Sequence, residues 1–451
     1  MTPVRDAVTA VLIHNGDVFL CRRQPHLPAF GGYYAFPGGK VDTTDSDQPT
    51  GQPLLDAHPA KAMHALAREL MEETGFDLPQ ACASGEVKSV DCLGEITTPA
   101  FVPTRFRTWF FKIVLNARPT LHMNSDEAMD SVWEPARALC QRYDRGQLLA
   151  APPTLAALDA LANAPDCTRV DLARMRHEYE PDSQVPSVEP LRGLRMLMVR
   201  SNTLPPAHHT NAFLFGDVHK VLVDPSPCSR EELEKLCRTL QPLGVHEVFL
   251  THHHPDHREY ADEVARHFRV PLGMSADTRA RITQKSGDKF FGDLEIKIYR
   301  EGDELTRWLG EAVQIIEVPG HDEGQLALMP VSRSWCIVGD LIQGIGTVVI
   351  SPPEGNMRKY FDSMKKIIAL DPQVVIPSHG AALGTTYRIR EALKHREARE
   401  TQIFSLHSAG RDEDQILDEV YKGTPPVLLP LARINIRSHM TKLREEGRLP
   451  A

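Results

Sequence analysis

No two of the eight cysteines, at 21, 82, 92, 140, 167, 228, 237 and 336, stand at Cys-x-x-Cys spacing. They read as reduced core or surface thiols of a cytoplasmic protein. No run approaches the roughly 18 apolar residues of a membrane-spanning helix. The opening Met1-Thr2-Pro3-Val4-Arg5-Asp6 has no apolar targeting segment. The expectation is a chain with no signal peptide and no membrane partner. Aromatic residues make up 6% of the chain, too few for a stacking platform of the kind that binds single-stranded nucleic acid. A positive excess is also missing. The formal net charge is −9, so bulk electrostatics do not make the chain a polyanion binder, although a local basic patch is compatible with it. What remains is ordinary globular composition, 41% hydrophobic and 25% charged over 451 residues. That length suits about three domains.

The strongest chemical signal is Thr251-His252-His253-His254-Pro255-Asp256-His257. It follows the apolar run Glu247-Val248-Phe249-Leu250, which reads as a buried strand. On an extended chain His252 and His254 face one way, and His253 faces the other. Pro255 ends ladder pairing, which leaves Asp256 and His257 on the turn beyond. Three imidazoles and a carboxylate this close suit zinc or a similar first-row metal.

This stretch resembles the ligand motif of the metallo-β-lactamase superfamily. The resemblance continues at His321 in Pro319-Gly320-His321-Asp322, at Asp340 after Cys336-Ile337-Val338-Gly339, and at His379 after Val374-Val375-Ile376-Pro377-Ser378. It implies a binuclear site, with one metal on His252, His254 and His321 and the other on Asp256, His257 and His379. Asp340 would bridge them, and two Zn²⁺ (or Mn²⁺ or Fe²⁺) would be the cofactors. Asp256 would also guide the proton of the attacking water. Asn211 and Asp224 match positions usual in the family, and Asp224 is read as support for the ligands. The family usually continues with a glycine pair. Here Arg258-Glu259-Tyr260 follow His257, and Arg258 or Tyr260 is read as reaching substrate.

Nearer the start, Val8 to Ile13 and Val18 to Cys21 read as strands around an Asn15-Gly16 hairpin turn. A helix follows from Lys61 and ends at Gly75. Glu69, Glu72 and Glu73 share one of its faces, where hard cations can bridge them. Arg68-Glu-Leu-x-Glu-Glu-x-Gly75-Phe76, downstream of Phe36-Pro37-Gly38-Gly39, resembles the Nudix hydrolase box. By position, Glu72 and Glu73 would be the main Mg²⁺ (or Mn²⁺) ligands and the catalytic carboxylates, with Glu69 assisting. Arg68 would orient the helix, Gly38 and Gly39 would form the loop start, and Glu127 is a lesser candidate ligand. Gly39 and Arg68 stand 29 positions apart, which is longer than the usual box. Ala60 falls at the place of the first box glutamate. An insertion here resembles the coenzyme-A-type Nudix branch.

Between these regions, residues 180–190 carry three prolines and little periodicity, and read as an extended linker. After residue 388 three helices, the last with an apolar stripe and the basic residues Arg433, Arg437, Lys442, Arg444 and Arg448, lead into Gly447-Arg448-Leu449 and an expected short strand. This ending resembles the winged-helix cap of the lactamase-beta-like group that includes mitochondrial endoribonucleases. The fold expected is therefore α/β multidomain: a Nudix α/β/α sandwich at 1–165, a linker at 166–193, a metallo-β-lactamase αββα sandwich at 194–387 and a winged-helix-like helical cap at 388–451. The function implied is a metal-dependent hydrolase cutting a phosphodiester, with single-stranded RNA as substrate, alongside cleavage of a nucleoside-diphosphate or CoA-type pyrophosphate. The alternative is a thioester hydrolase, because Thr-His-His-His-x-Asp-His also resembles glyoxalase II; its Nudix domain would act on CoA derivatives or serve as a ligand sensor. The partners expected are such substrates, with a homodimer among the assemblies allowed.

Overall fold

A computed structural model describes residues 4–98, 105–171 and 182–450. The chain divides into two compact units near residue 180.

The first unit is built on a seven-stranded sheet. Its strands are β1 (Val4–His14), β2 (Asp17–Arg23), β3 (Tyr34–Ala35), β4 (Gly38–Lys40), β5 (Val87–Thr97), β6 (Arg105–Leu115) and β7 (Ala128–Pro135). The order is β3-β2-β1-β6-β5, with β4 on β1 and β7 on β2. The β1–β2 turn has Asn15 and Gly16 both at positive φ, 50° and 87°, as a type I′ hairpin requires. Side chains alternate along β1, so each face gains its own core. Val8, Ala10 and Leu12 pack with α1 (Pro53–Asp56), α2 (Ala60–Thr74) and α3 (Leu78–Ala83). Val11 and Ile13 pack with α4 (Ala136–Asp144) and α5 (Pro152–Asn163). Gly75 caps α2 at φ 67°. The polar stretch before α2 is not structureless. It holds α1, whose Leu55 is fully buried, and Asp56 accepts bonds from Thr50 and Gly51.

The second unit stacks two sheets. The first has β8 (Ser187–Leu191), β9 (Leu194–Arg200), β10 (His209–Phe215), β11 (Val221–Val223), β12 (Glu247–Phe249), β13 (Leu272–Met274) and β14 (Ile296–Ile298), running in sequence order across the sheet. The second has β15 (Glu304–Trp308), β16 (Glu311–Glu317), β17 (Leu326–Pro330), β18 (Cys336–Ile337), β19 (Val374–Ile376) and β20 (Leu383–Gly384). Helices α6 (Arg230–Leu240), α7 (Pro255–Arg258), α8 (Ala261–Phe268) and α9 (Ala276–Ser286) follow the first sheet's strands; α6, α8 and α9 pack on its outer face. Helices α10 (Met357–Leu370) and α11 (Tyr387–Ser408) cover the second. Alternation on β10 joins the layers: Ala212 and Leu214 face the helices, whereas Phe215 meets Trp335 with ring centroids 5.2 Å apart. This is the αββα layering expected.

Two details differ from the sequence reading. The proline-rich stretch supplies β8, an edge strand that tolerates Pro190 because an edge residue needs no ladder donor; the part up to residue 181 lies outside the described residues. The chain end forms helices α11, α12 (Glu413–Val420) and α13 (Leu429–Glu445) around Ile403, Ile416, Leu417, Val420, Ala432, Ile436 and Met440. No strand follows α13 among the described residues. The Arg448 and Leu449 amides bond back to the Leu443 carbonyl, so this segment folds onto the helix instead of extending. Among the described residues no helix is long and apolar enough to cross a membrane.

Candidate metal centre

Each of the His and Asp side chains expected as metal ligands in the second unit leaves the end of a regular element. β12 is wholly buried and delivers Thr251, His252 and His254. Pro255 then starts the single turn of α7, where its missing N–H costs nothing, and that turn presents Asp256 and His257. His321 follows β16 and His379 follows β19. Asp340 does not end a strand as expected. β18 stops at Ile337, and a 3-10 turn over Gly339–Leu341 carries Asp340. The Asn211 side chain donates to the carbonyls of Pro377 and Gly380, at 3.0 and 2.7 Å, and its amide to that of Ser378, so Asn211 clasps the loop of His379.

Outward-facing ring nitrogens fix the imidazoles. His257 Nδ1 donates to Asp224 Oδ2 at 2.9 Å. Thr251 Oγ1 donates to the same oxygen at 2.6 Å, so the Thr251 hydroxyl is left to accept from His252 Nδ1 at 3.0 Å. His321 Nδ1 donates to the Val349 carbonyl at 3.0 Å, and His379 Nδ1 to that of His209 at 2.9 Å. His254 turns Nε2 toward Glu354, 3.5 Å away. The opposite nitrogens therefore point inward as lone pairs or as buried N–H groups. His254 Nδ1 lies 3.0 Å from His252 Nε2 and 2.9 Å from His321 Nε2. Asp340 reaches both sides: Oδ2 is 3.7 Å from His321 Nε2, and Oδ1 is 3.6 Å from His257 Nε2 and 3.4 Å from His379 Nε2. Asp256 Oδ2 stands 3.6 Å from His379 Nε2. His257 Nε2, His379 Nε2 and Asp340 Oδ1 are buried with no hydrogen-bond partner. Buried polar atoms left this way call for a cation. The sets His252–His254–His321, His252–His257–Asp340 and Asp256–His257–His379 each bring their ligand atoms within 4.8 Å of one another.

Electrostatics differ across the cluster. Burial, helped by neighbouring imidazoles, pushes His252 well below its usual pKa and His254 down to about 3; burial also lowers His321. Burial works the same way on His257 and His379. There it is overridden, at His257 by Asp256, Asp340 and Asp224 and at His379 chiefly by Asp340, so both end above the usual value. Burial would raise Asp340, but His379 and His257 hold it well below the carboxylate range. A metal must displace the protons of His257 and His379. Zinc titration of metal-free protein at pH 7 is expected to release protons, measured by calorimetry in buffers of differing ionisation enthalpy. Affinity should fall as pH drops. A buffer-independent heat would contradict this charge assignment. Without metal the sign reverses for stability: a raised His257 supports the fold below its ordinary pKa, and this support is lost as pH rises through the folded value.

Around this cluster some expectations change. Arg258 does not point into the site. Its Nε donates to the His253 carbonyl at 2.8 Å, and its guanidinium lies over the Phe290 ring. It braces the loop. Tyr260 stands at φ 57°, in the left-handed region that a glycine would occupy without strain. His253 turns away from the cluster and pairs with Asp322 at 2.5 Å, with Lys285 Nζ 3.0 Å from its other nitrogen. Lys285 also pairs with Glu354. Asp322, Lys285 and Glu354 were missed by sequence reasoning. Only Asp322, next to His321, carried a positional hint.

In the first unit Gly38 and Gly39 lie in β4, not in a loop, because they pair with Val8 and Thr9 of β1. A Cβ on Gly38 would come within 2.2 Å of the Val8 carbonyl oxygen, and one on Gly39 within 2.4 Å of the Glu69 carboxylate. Close approach to the β1 backbone requires glycine at 38, and close approach to the carboxylate helix requires it at 39. Glu73 is buried and accepts the Gly38 amide at 3.0 Å; burial, with Glu127 nearby, raises its pKa to about 8. Burial raises Glu69 as well. Arg68 bonds Glu69 at 2.8 Å and Glu72 at 3.4 Å, and also binds Asp45 at 3.0 Å and the Lys40 carbonyl at 2.8 Å. Asp45 comes from the insertion, so the inserted residues lock the arginine of the box. The glutamates share one face but do not converge: among the described residues no trio including Glu69, Glu72, Glu73 or Glu127 has its ligand atoms within 4.8 Å.

The two-sheet fold and the His/Asp cluster define a metal-dependent hydrolase. Residues 205–379 match the Metallo-beta-lactamase superfamily, residues 3–152 the NUDIX domain and residues 413–449 the Beta-lactamase associated winged helix domain. The chain thus joins a Nudix domain to a metallo-β-lactamase domain that carries the associated winged helix. It is 26% identical over 261 residues to the Beta-lactamase-like protein 2 homolog of Drosophila melanogaster, covering 53% of this chain and 84% of that protein. It is 28% identical over 163 residues to a Hydroxyacylglutathione hydrolase of Wigglesworthia glossinidia brevipalpis, covering 36% of this chain and 56% of that protein. Among solved structures, the NUDIX hydrolase of Alicyclobacillus acidocaldarius is 28% identical, with a TM-score of 0.31, covering 37% of this chain and 94% of that one.

Proposed function

We propose that the second unit is a two-zinc hydrolase of small thioesters and that the first cleaves a CoA-type or nucleoside-diphosphate pyrophosphate with Mg²⁺. The observation that carries the first part is the inward convergence of five imidazoles on Asp256 and Asp340 while their outer nitrogens are engaged. His252, His254 and His321 would hold one ion; Asp256, His257 and His379 would hold the other, and Asp340 would touch both. Bound there, the ions supply Lewis acidity and water deprotonated near neutral pH. The protein's own part is orientation. Asp224 fixes His257 directly and His252 through Thr251, and the partly exposed Asp256 carboxylate is placed to accept a proton from water.

Charge supports this choice of substrate class over RNA. The basic stripe of α13, the feature that pointed to RNA, is largely engaged within the cap. Arg433 and Arg437 pair with Glu413, at 2.9 Å each. Lys442 and Arg448 pair with Glu400, at 2.7 and 3.2 Å. Such side chains would have to break these pairs to hold phosphates. Similarity to proteins named Hydroxyacylglutathione hydrolase supports the thioester reading. The match to a winged helix at 413–449 favours a second reading, phosphodiester cleavage in single-stranded RNA. In the first unit, the carboxylate donors of α2 suit a hard cation.

Acyl-CoA and acylglutathione thioesters, CoA and nucleoside diphosphate compounds, and single-stranded RNA should be offered to the wild type, Asp256→Ala and Glu72→Gln. Thioester cleavage should vanish in Asp256→Ala and survive Glu72→Gln; pyrophosphate cleavage should show the reverse. RNA cleavage lost in Asp256→Ala, with thioesters untouched by any form, would replace the first reading with the second.

A further inference from the structure

The segment Val348-Val349-Ile350 belongs to neither sheet, yet the Val348 and Ile350 side chains are buried in the apolar core. Buried peptide groups need partners, and here side chains of the cap provide them. Arg396 of α11, itself buried, donates Nη2 to the Val348 carbonyl at 2.5 Å. Asn435 Oδ1 accepts the Ile350 amide at 3.2 Å, and Ser438 Oγ donates to the Ile350 carbonyl at 2.5 Å. Ala432, Ile436 and Met440 anchor one stripe of α13 in the cap core. Asn435 and Ser438 lie on a neighbouring stripe. Between the two clamped residues, the Val349 carbonyl accepts from His321 Nδ1 at 3.0 Å.

We infer that Arg396, Asn435 and Ser438 are positioning residues that hold the Val349 carbonyl in place and so orient His321 for its metal. The cap is thereby part of the metal centre's frame. This rests on His321 being a ligand of the first ion, as proposed above. The Val349 carbonyl is the group one bond beyond the ligand, a place that typically contributes 10–100-fold in metal affinity; the three side chains act on it from one step further out.

The test is a two-step zinc titration of the full chain against a chromophoric chelator, with melting curves to confirm folding. Ser438→Ala and Asn435→Leu should each weaken one of the two steps, by up to about tenfold, the lower end for a direct partner of a ligand. His321→Ala should abolish that same step. Ser438→Thr and Asn435→Asp, which keep a donor and an acceptor, should restore it; a purely structural role would move the melting temperature and leave the step alone. Should Asn435→Leu not fold, the milder Ser438→Ala carries the test. Wild-type affinity in Ser438→Ala, while His321→Ala loses a step, would overturn the inference. Two intact steps in His321→Ala would instead overturn the ligand assignment and the inference with it.

Discussion

Asp340→Ala is expected to lower bound metal from about two ions per chain to one or fewer and to reduce hydrolysis by the second unit about a thousandfold or more. Among the ligand candidates, Asp340 has carboxylate oxygens facing both halves of the cluster, 3.7 Å from His321 and 3.4 Å from His379. Its loss also removes the anion that chiefly raises His379 and that, after Asp256 and beside Asp224, raises His257. The cluster then has one carboxylate fewer to balance the charge of two cations. Lewis-acid stabilisation is worth several kcal/mol, which at about 1.4 kcal/mol per tenfold sets the scale. Elemental analysis beside steady-state rates checks both halves of the expectation. Full metal content with a rate within tenfold of wild type would exclude a bridging role.

Glu73→Gln is expected to remove pyrophosphate cleavage while stabilising the metal-free first unit at neutral pH. The wild-type carboxyl is buried and holds its proton up to about pH 8, whereas the unfolded chain releases it near the ordinary glutamate value of 4.5. The folded state binds more protons between those values, so stability falls as pH rises across the window. At 1.36 kcal/mol per unit the total is of the order of 3–5 kcal/mol. Gln cannot titrate and can still accept the Gly38 amide. Without divalent cation, the wild-type melting temperature should therefore drop between pH 5 and pH 8, and that of Glu73→Gln should stay nearly flat. Saturating Mg²⁺ should rescue only the wild type, by about 2.7 kcal/mol at a hundred times Kd. Parallel pH profiles for the two proteins would refute the buried, titrating role of Glu73.

Much of the site was legible because each ligand candidate lies where a short apolar run stops. Glu247 to Leu250 announces a buried strand, and Pro255 announces its end. The spacing of His252, His254, Asp256 and His257 then follows from chain geometry. The outer partners were legible only in part. Asp224 was read from its place after a strand. The Val349 and His209 carbonyls carry no side-chain signal, because any residue offers a carbonyl. Glu354 and Lys285 come from loops and helices distant in sequence, and only folding brings them to His253. In the Nudix unit, helix periodicity placed Glu69, Glu72 and Glu73 on one face, but pairing of Gly38 and Gly39 with β1 is a long-range register that local glycine content disguises as a loop. Asp45 sat in a polar insertion with no pattern; its role depends on the insertion folding back to Arg68. At the chain end, the basic stripe was visible in the sequence and its acidic partners Glu413 and Glu400, one and two helices earlier, were not evident as partners. Charge count alone does not reveal neutralisation.

Seven side chains of the second unit are proposed to hold two metal ions. Anomalous diffraction at the zinc edge, from crystals of the full chain, tests it most directly. The expected map has two peaks about 3.5–4 Å apart, one bordered by His252 Nε2, His254 Nδ1 and His321 Nε2, the other by Asp256, His257 Nε2 and His379 Nε2, with Asp340 reaching both. A single peak, or a pair seated away from these atoms, such as one beside His253 and Asp322, would contradict it.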